Sequence, residues 1–74
     1  MPKLPVLSGK KVAKALSRVG FLVDHQTGSH IIMRCEGKST LTVSVPNHRE
    51  LKPGTLRGII RQAGLTVEEF VGLL

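Results

Sequence analysis

Thr27-Gly28-Ser29-His30-Ile31-Ile32-Met33-Arg34-Cys35 is the stretch that decides how this chain folds. A turn tripeptide is followed at once by six residues rich in β-branched and apolar side chains, the pattern of a strand leaving a hairpin turn. Phe21 to Gln26 reads as a strand before it and Thr40 to Val45 as one after it, with Glu36-Gly37-Lys38-Ser39 as the second turn. The last of the three alternates most plainly. Leu41, Val43 and Val45 point one way, and Thr40, Thr42 and Ser44 the other. In the middle strand Ile31, Met33 and Cys35 form the better core set, which leaves His30, Ile32 and Arg34 on the opposite face. The first strand sends Phe21 and Val23 toward the core and Asp24 and Gln26 away from it.

One constraint joins the three strands. A slip of one residue turns every side chain to the other face. The apolar sets therefore share a face only if both hairpin loops hold an odd number of residues. Three-residue loops, 27–29 and 37–39, meet that condition and pair Gln26 with His30. They give a mostly polar open face carrying Asp24, Gln26, His30, Ile32 and Arg34, with His25 on the apolar side at the rim.

Helices flank the sheet. Met1 to Leu7, with Pro2 and Pro5, reads as extended chain, and Ser8 as an N-cap for a helix from Gly9 to Val19 that stops at Gly20. Val12, Leu16 and Val19 make its apolar face, while Lys10, Lys14 and Arg18 recur every four residues on another, a stripe suited to phosphates or simply to solvent. After a loop through Pro46, Asn47 and His48, Pro53 opens a second helix that runs to Ala63 and stops at Gly64. Leu56, Ile59, Ile60 and Ala63 are its buried side, Arg57 and Arg61 its exposed side, and Thr55 a capping residue. Thr66 and Glu69 form a capping box for a last helix, Val67 to Leu74, that buries Phe70, Val71 and Leu74. The order α-β-β-β-α plus a short helix predicts one α+β domain over 1–74, a three-stranded antiparallel sheet with helices on one face. It is also the order of the double-stranded-RNA-binding fold.

Eleven Lys and Arg stand against five acids, a formal charge of +6, and two of the acids fall at Glu68 and Glu69. A basic surface favours polyanions. Phe21 and Phe70 are the only aromatic residues, too few for a reader that stacks bases on its surface. No apolar run nears the ~20 residues of a membrane span, and Met1 to Lys11 lacks the apolar core of a signal peptide. The single cysteine, Cys35, excludes an internal disulfide and fits a reducing cytoplasm.

His25, His30, His48 and Cys35 lack metal-ligand spacing, so neither a metal nor another cofactor is expected. Cys35 points into the core, where a thiol is inert. Ser29 precedes His30, but neighbours on a strand point apart, and Ser29 reads as a turn residue that, with Gly28, presents the histidine. RNA cleavage without metal needs a base for the 2′-hydroxyl, an acid for the leaving 5′-oxygen and cations for the developing charge. His30 can fill one proton-transfer role and Arg34 can hold the phosphate. The second proton-transfer group is not evident from the sequence; His48 qualifies only if its loop folds back.

Ser8-Gly9-Lys10-Lys11-Val12, Gly20-Phe21, Gly28-Ser29-His30, Val45-Pro46 with His48, Gly54-Thr55-Leu56, Ile59-Ile60, Gly64-Leu65 and Glu69-Phe70, together with Lys3-Leu4-Pro5, follow one another in an order and spacing that resemble the HicA-type toxins. These are the small mRNA-cleaving partners of toxin–antitoxin pairs, also called mRNA interferases. The resemblance implies a double-stranded-RNA-binding-like fold with His30 as the catalytic residue. It also implies endoribonuclease activity on mRNA that blocks translation, and a complex with a HicB-type antitoxin that covers the histidine. Arg34, Lys10, Lys14, Arg57 and Arg61 are the expected RNA-binding residues. The alternative is a non-catalytic RNA-binding module of the same fold.

Overall fold

The computed structural model of the protein describes residues 4–37 and 39–74; the start of the expected extended lead and Lys38 of the second turn lie outside the described residues. The elements are α1 (Gly9–Ser17), β1 (Leu22–Thr27), β2 (His30–Cys35), β3 (Leu41–Pro46), α2 (Pro53–Gln62) and α3 (Val67–Val71). The strands form one antiparallel sheet in the order β1-β2-β3. Val12, Ala15 and Leu16 of α1 and Leu56, Ile59 and Ile60 of α2 share a single core with Ile31, Met33, Val43 and Val45. Both helices therefore cover one face of the sheet and leave the other open, the two-layer α+β arrangement with the double-stranded-RNA-binding-like order that the sequence predicts.

The β2–β3 pairing follows the expected faces. His30 lies opposite Pro46, Ile32 opposite Ser44 and Arg34 opposite Thr42, while Ile31, Met33 and Cys35 face Val45, Val43 and Leu41. Opposed residues of an antiparallel pair project from the same face. The loop spans 36–40 rather than 37–39, still an odd number, so the parity holds.

The first hairpin differs from expectation. Thr27 pairs with His30, which leaves Gly28 and Ser29 as a two-residue loop instead of 27–29. Gly28 has φ +41, and no residue other than glycine has positive φ among the described residues. Positive φ at the first loop position alone is the pattern of a II′ turn, whose twist matches that of the strands. Such a loop should set β1 on the wrong face of β2. The register instead shifts between Val23 and His25, so that Val23 meets Met33 while His25 meets Ile32. The extra residue, Asp24, restores the parity for the first half of the strand. The correction falls on the second half: His25 shares the open face with His30, and Gln26, opposite Ile31, shares the helix-side face.

Other departures have local causes. β1 begins at Leu22, one residue late, because Phe21 turns into the core ahead of the strand. Val23 lies on the helix side yet is 56% exposed, since β1 is an edge strand and α2 packs on the opposite edge, β3. α1 ends at Ser17 rather than Val19. Gly20, at φ +99, turns the chain so that the Phe21 N–H reaches the Leu16 carbonyl at 3.2 Å, and Val19 is left exposed. α2 is capped at Lys52 without a side-chain bond, so Thr55 is not the cap. The Thr66–Glu69 capping box forms as expected, but α3 is short. It buries Phe70 completely, Val71 partly, and leaves Leu74 exposed.

The segment after β3 folds back onto the first hairpin turn and the start of α1. Asn47 N–H donates to the Ser29 carbonyl, Gly9 N–H to the His48 carbonyl, and Leu51 N–H to the Leu7 carbonyl. Gly9 is buried here, and a Cβ on it would run into the Pro46 carbonyl. Gly58, inside α2, has nothing within 4 Å of its Cβ position. The two glycines should thus respond oppositely to alanine in urea denaturation. Gly9→Ala should lose about 2 kcal/mol or more, as expected when backbone must move. Gly58→Ala should gain up to about 1 kcal/mol from helix propensity.

Candidate functional site

His30 is the first residue of β2 and is exposed on the open face. Ser29 lies in the turn, as expected, but it is not directed away from its neighbour: its Oγ lies 3.3 Å from His30 Nδ1. Two successive strand residues would diverge; a turn residue and the strand residue after it do not. With Nδ1 engaged, Nε2 is the nitrogen left to exchange a proton with a bound molecule. The Asn47 N–H bond to the Ser29 carbonyl, 2.6 Å, ties the turn to the end of β3 and fixes where the histidine emerges.

Along the same face of β2 follow Ile32, half-buried, and Arg34, exposed. Across the pair, β1 contributes Thr27 opposite His30, His25 opposite Ile32 and Leu22 opposite Arg34. The bulge adds Asp24 to this row. Its Oδ2 lies 2.7 Å from His25 Nδ1. The hydrogen bond from His25, and then the charge of Arg34, hold the Asp24 carboxyl below the usual aspartate range. Arg34, Asp24, Leu22, Val23, Gly20 and Glu36 line a shallow cleft at the far end of the hairpin.

The other sequence-derived residues are placed elsewhere. Lys10 and Lys14 are exposed on α1, and Arg57 and Arg61 on α2, in the layer behind the sheet. Lys10 is the nearest of them in topology to His30, because the start of α1 is bonded to His48, two residues beyond the His30 partner Pro46. Lys14 lies beside a groove with Leu7 and Leu73, and Arg57 and Arg61 beside one with Leu65 and Val67. The structure does not gather these four with His30 and Arg34. Cys35 packs against the core and is half-buried. The His48 loop does fold back, through its backbone, and the side chain is exposed. Among the described residues no three His, Cys, Asp or Glu side chains come together as metal ligands, and no helix is long and apolar enough to cross a membrane.

Residues 9–65 match the sequence model of the HicA toxin of bacterial toxin–antitoxin pairs. The chain belongs to the HicA toxin family. The match runs from the first residue of α1 to just beyond α2 and takes in the whole sheet, His30 included. No curated protein matches the chain. Membership makes this HicA protein the toxin of a pair and gives it an antitoxin as partner. His25 and Asp24 are the site-face residues that the sequence reading misplaced or left without a role; the two-residue turn brings His25 to this face, and the bulge keeps Asp24 beside it.

The Asp24–His25 bond has a titration signature. An NMR titration of the Asp24 carboxyl should give a midpoint below the ordinary aspartate value, moving upward in His25→Ala. Because the folded carboxyl is the stronger acid, whatever stability it contributes is present above the ordinary aspartate pKa and lost as pH falls through the depressed one. Solvent exposure keeps that contribution small.

Proposed function

We propose that this HicA protein is a metal-independent endoribonuclease that cleaves mRNA and so blocks translation, with His30 as a general acid or base. The observation that carries the reading is His30 itself: exposed at the mouth of a tight hairpin, with Nδ1 3.3 Å from Ser29 Oγ and Arg34 on the same face. The nucleophile is the substrate's own 2′-hydroxyl, which restricts the reaction to RNA. It attacks phosphorus, the bond from phosphorus to O5′ breaks, and the products carry a 2′,3′-cyclic phosphate and a 5′-hydroxyl. One group must take the 2′ proton and another give one to O5′. Arg34 neutralises the phosphate as charge develops on its oxygens.

Lys10, Lys14, Arg57 and Arg61 act at a distance from the cut, holding phosphates of the flanking chain. The partners are mRNA and a HicB-type antitoxin that covers the His30 face in a hetero-oligomer, and the compartment is the cytoplasm. The rival reading is a non-catalytic RNA-binding module. It draws on the exposed helix bases, which need no chemistry from His30.

Incubation of RNA with the purified chain in EDTA, beside His30→Ala, separates the two. The wild type should produce fragments, and the variant should lose about 100-fold or more in rate, the usual worth of a general acid or base. Fragments from both proteins would remove His30 as the catalyst. Intact RNA with both, combined with binding that weakens steeply with salt, would favour the binding module.

A further inference from the structure

The open face holds a second histidine that the ribonuclease reading leaves unused. His25 lies opposite Ile32, and His30 stands two residues before Ile32 on the same face. That makes His25 and His30 diagonal neighbours across β1 and β2, a spacing of roughly 7–8 Å in a regular sheet with the Cβ atoms somewhat closer. His25 stands on the other diagonal to Arg34. It therefore sits between the two residues already assigned to the proton transfer and the phosphate.

We propose that His25 is the second proton-transfer group of this site, the acid that gives O5′ its proton while His30 takes the proton of the 2′-hydroxyl, and that Asp24 is its positioning residue. The proposal rests on the ribonuclease reading. The geometry suits it in two ways. Acid and base must each come within about 3 Å of their oxygens, on opposite sides of one phosphorus. Two histidines on diagonal positions can bracket a phosphate in that manner, whereas neighbours on one strand cannot. The polar partners also differ between the two rings. Asp24 Oδ2, at 2.7 Å, accepts from His25 Nδ1 and makes a salt bridge when that ring is protonated, which marks His25 as the donor. His30 has only the Ser29 hydroxyl and is left as the acceptor. Both residues are exposed, and in both rings the contact is at Nδ1.

The step balances without any further reactant. The 2′-oxygen loses its proton to His30 Nε2 and forms a bond to phosphorus. The phosphorus–O5′ bond breaks with its electron pair on O5′, which takes the proton from His25 Nε2. The bulge makes the pairing possible, since an unbulged β1 with the same turn would still place His25 beside His30 but would turn Val23 and Leu22 over and carry Asp24 to the other face.

The experiment uses the full chain and an RNA oligomer at a bond the wild type cuts, made with either oxygen or sulfur at the bridging 5′ position. A 5′-thiolate leaves without needing a proton. His25→Ala should lose about 100-fold or more on the oxygen substrate, yet cut the sulfur substrate at close to the wild-type rate. Asp24→Asn should show a smaller loss that also disappears with sulfur, which a merely structural role would not do. His30→Ala should lose activity on both substrates, and His48→Ala should lose little on either. Unchanged cleavage of the oxygen substrate by His25→Ala overturns the proposal, as does an equal loss on both substrates. Rescue by sulfur in His48→Ala instead would assign the acid to His48. If the wild type fails to cut either substrate, or His30→Ala cuts both as well as the wild type does, the underlying ribonuclease reading fails and takes this inference with it.

Discussion

The structure depends on how β1 is allowed to lie against β2. A two-residue turn at Gly28 and Ser29 suits the right-handed twist of the hairpin, but it fixes a parity that conflicts with the apolar pattern of the first strand. One extra residue at Asp24 resolves the conflict. Downstream of it, the strand obeys the turn and lifts His25 and Thr27 to the open face; upstream, it obeys the core and brings Val23 over Met33. The bulge is thus where the demands of turn and core are reconciled, and the side chain of the extra residue becomes the partner of the histidine beside it.

The rest of the molecule holds that hairpin still. β2 is the central strand, and its buried side, Ile31 and Met33, is packed between Val43 and Val45 of β3 and the helix residues above. Burying such side chains is worth roughly 1.5–3 kcal/mol each, enough to pin the register of β2 from behind while its front stays polar. The backbone bonds from Asn47 to Ser29, Gly9 to His48 and Leu51 to Leu7 then stitch the turn, the first helix and the β3 exit into one corner. His30 emerges at that corner. A small α+β domain can therefore present a reactive side chain on an edge-accessible sheet face without a deep pocket, which suits a long polyanionic substrate.

Much of this was legible in the sequence, and the limits have identifiable causes. Alternation along 41–45 and 31–35 placed two strands on their correct faces because each is long, regular and buried on one side only. The Ser8 cap and the Thr66–Glu69 box located two helix starts because they are local hydrogen-bond devices. β1 was read less well. Leu22, on the open face, is 71% exposed and Val23, on the helix side, 56%, so hydrophobicity does not track burial in this strand, and a bulge leaves no periodic trace. Parity required odd loops because β1 was taken as unbroken, whereas a short loop with a bulge satisfies the same apolar pattern. That assumption moved His25 to the wrong face and kept its pairing with Asp24 out of view. The position of His30 at the mouth of the hairpin was legible because glycine and serine before a β-branched run mark a turn whatever its length, and the family resemblance pointed to the same residue.

The proposed ribonuclease activity stands on one chemical claim, that the substrate's 2′-hydroxyl cuts the chain with protons moved by protein side chains. The end groups of the RNA products, formed in EDTA and resolved by mass spectrometry, test it most directly. Attack by the 2′-hydroxyl leaves 2′,3′-cyclic phosphate on one fragment and 5′-hydroxyl on the other, and an all-deoxy strand of the same sequence should not be cut. Fragments that carry 5′-phosphate and 3′-hydroxyl, or that form only when a divalent metal is supplied, would contradict it.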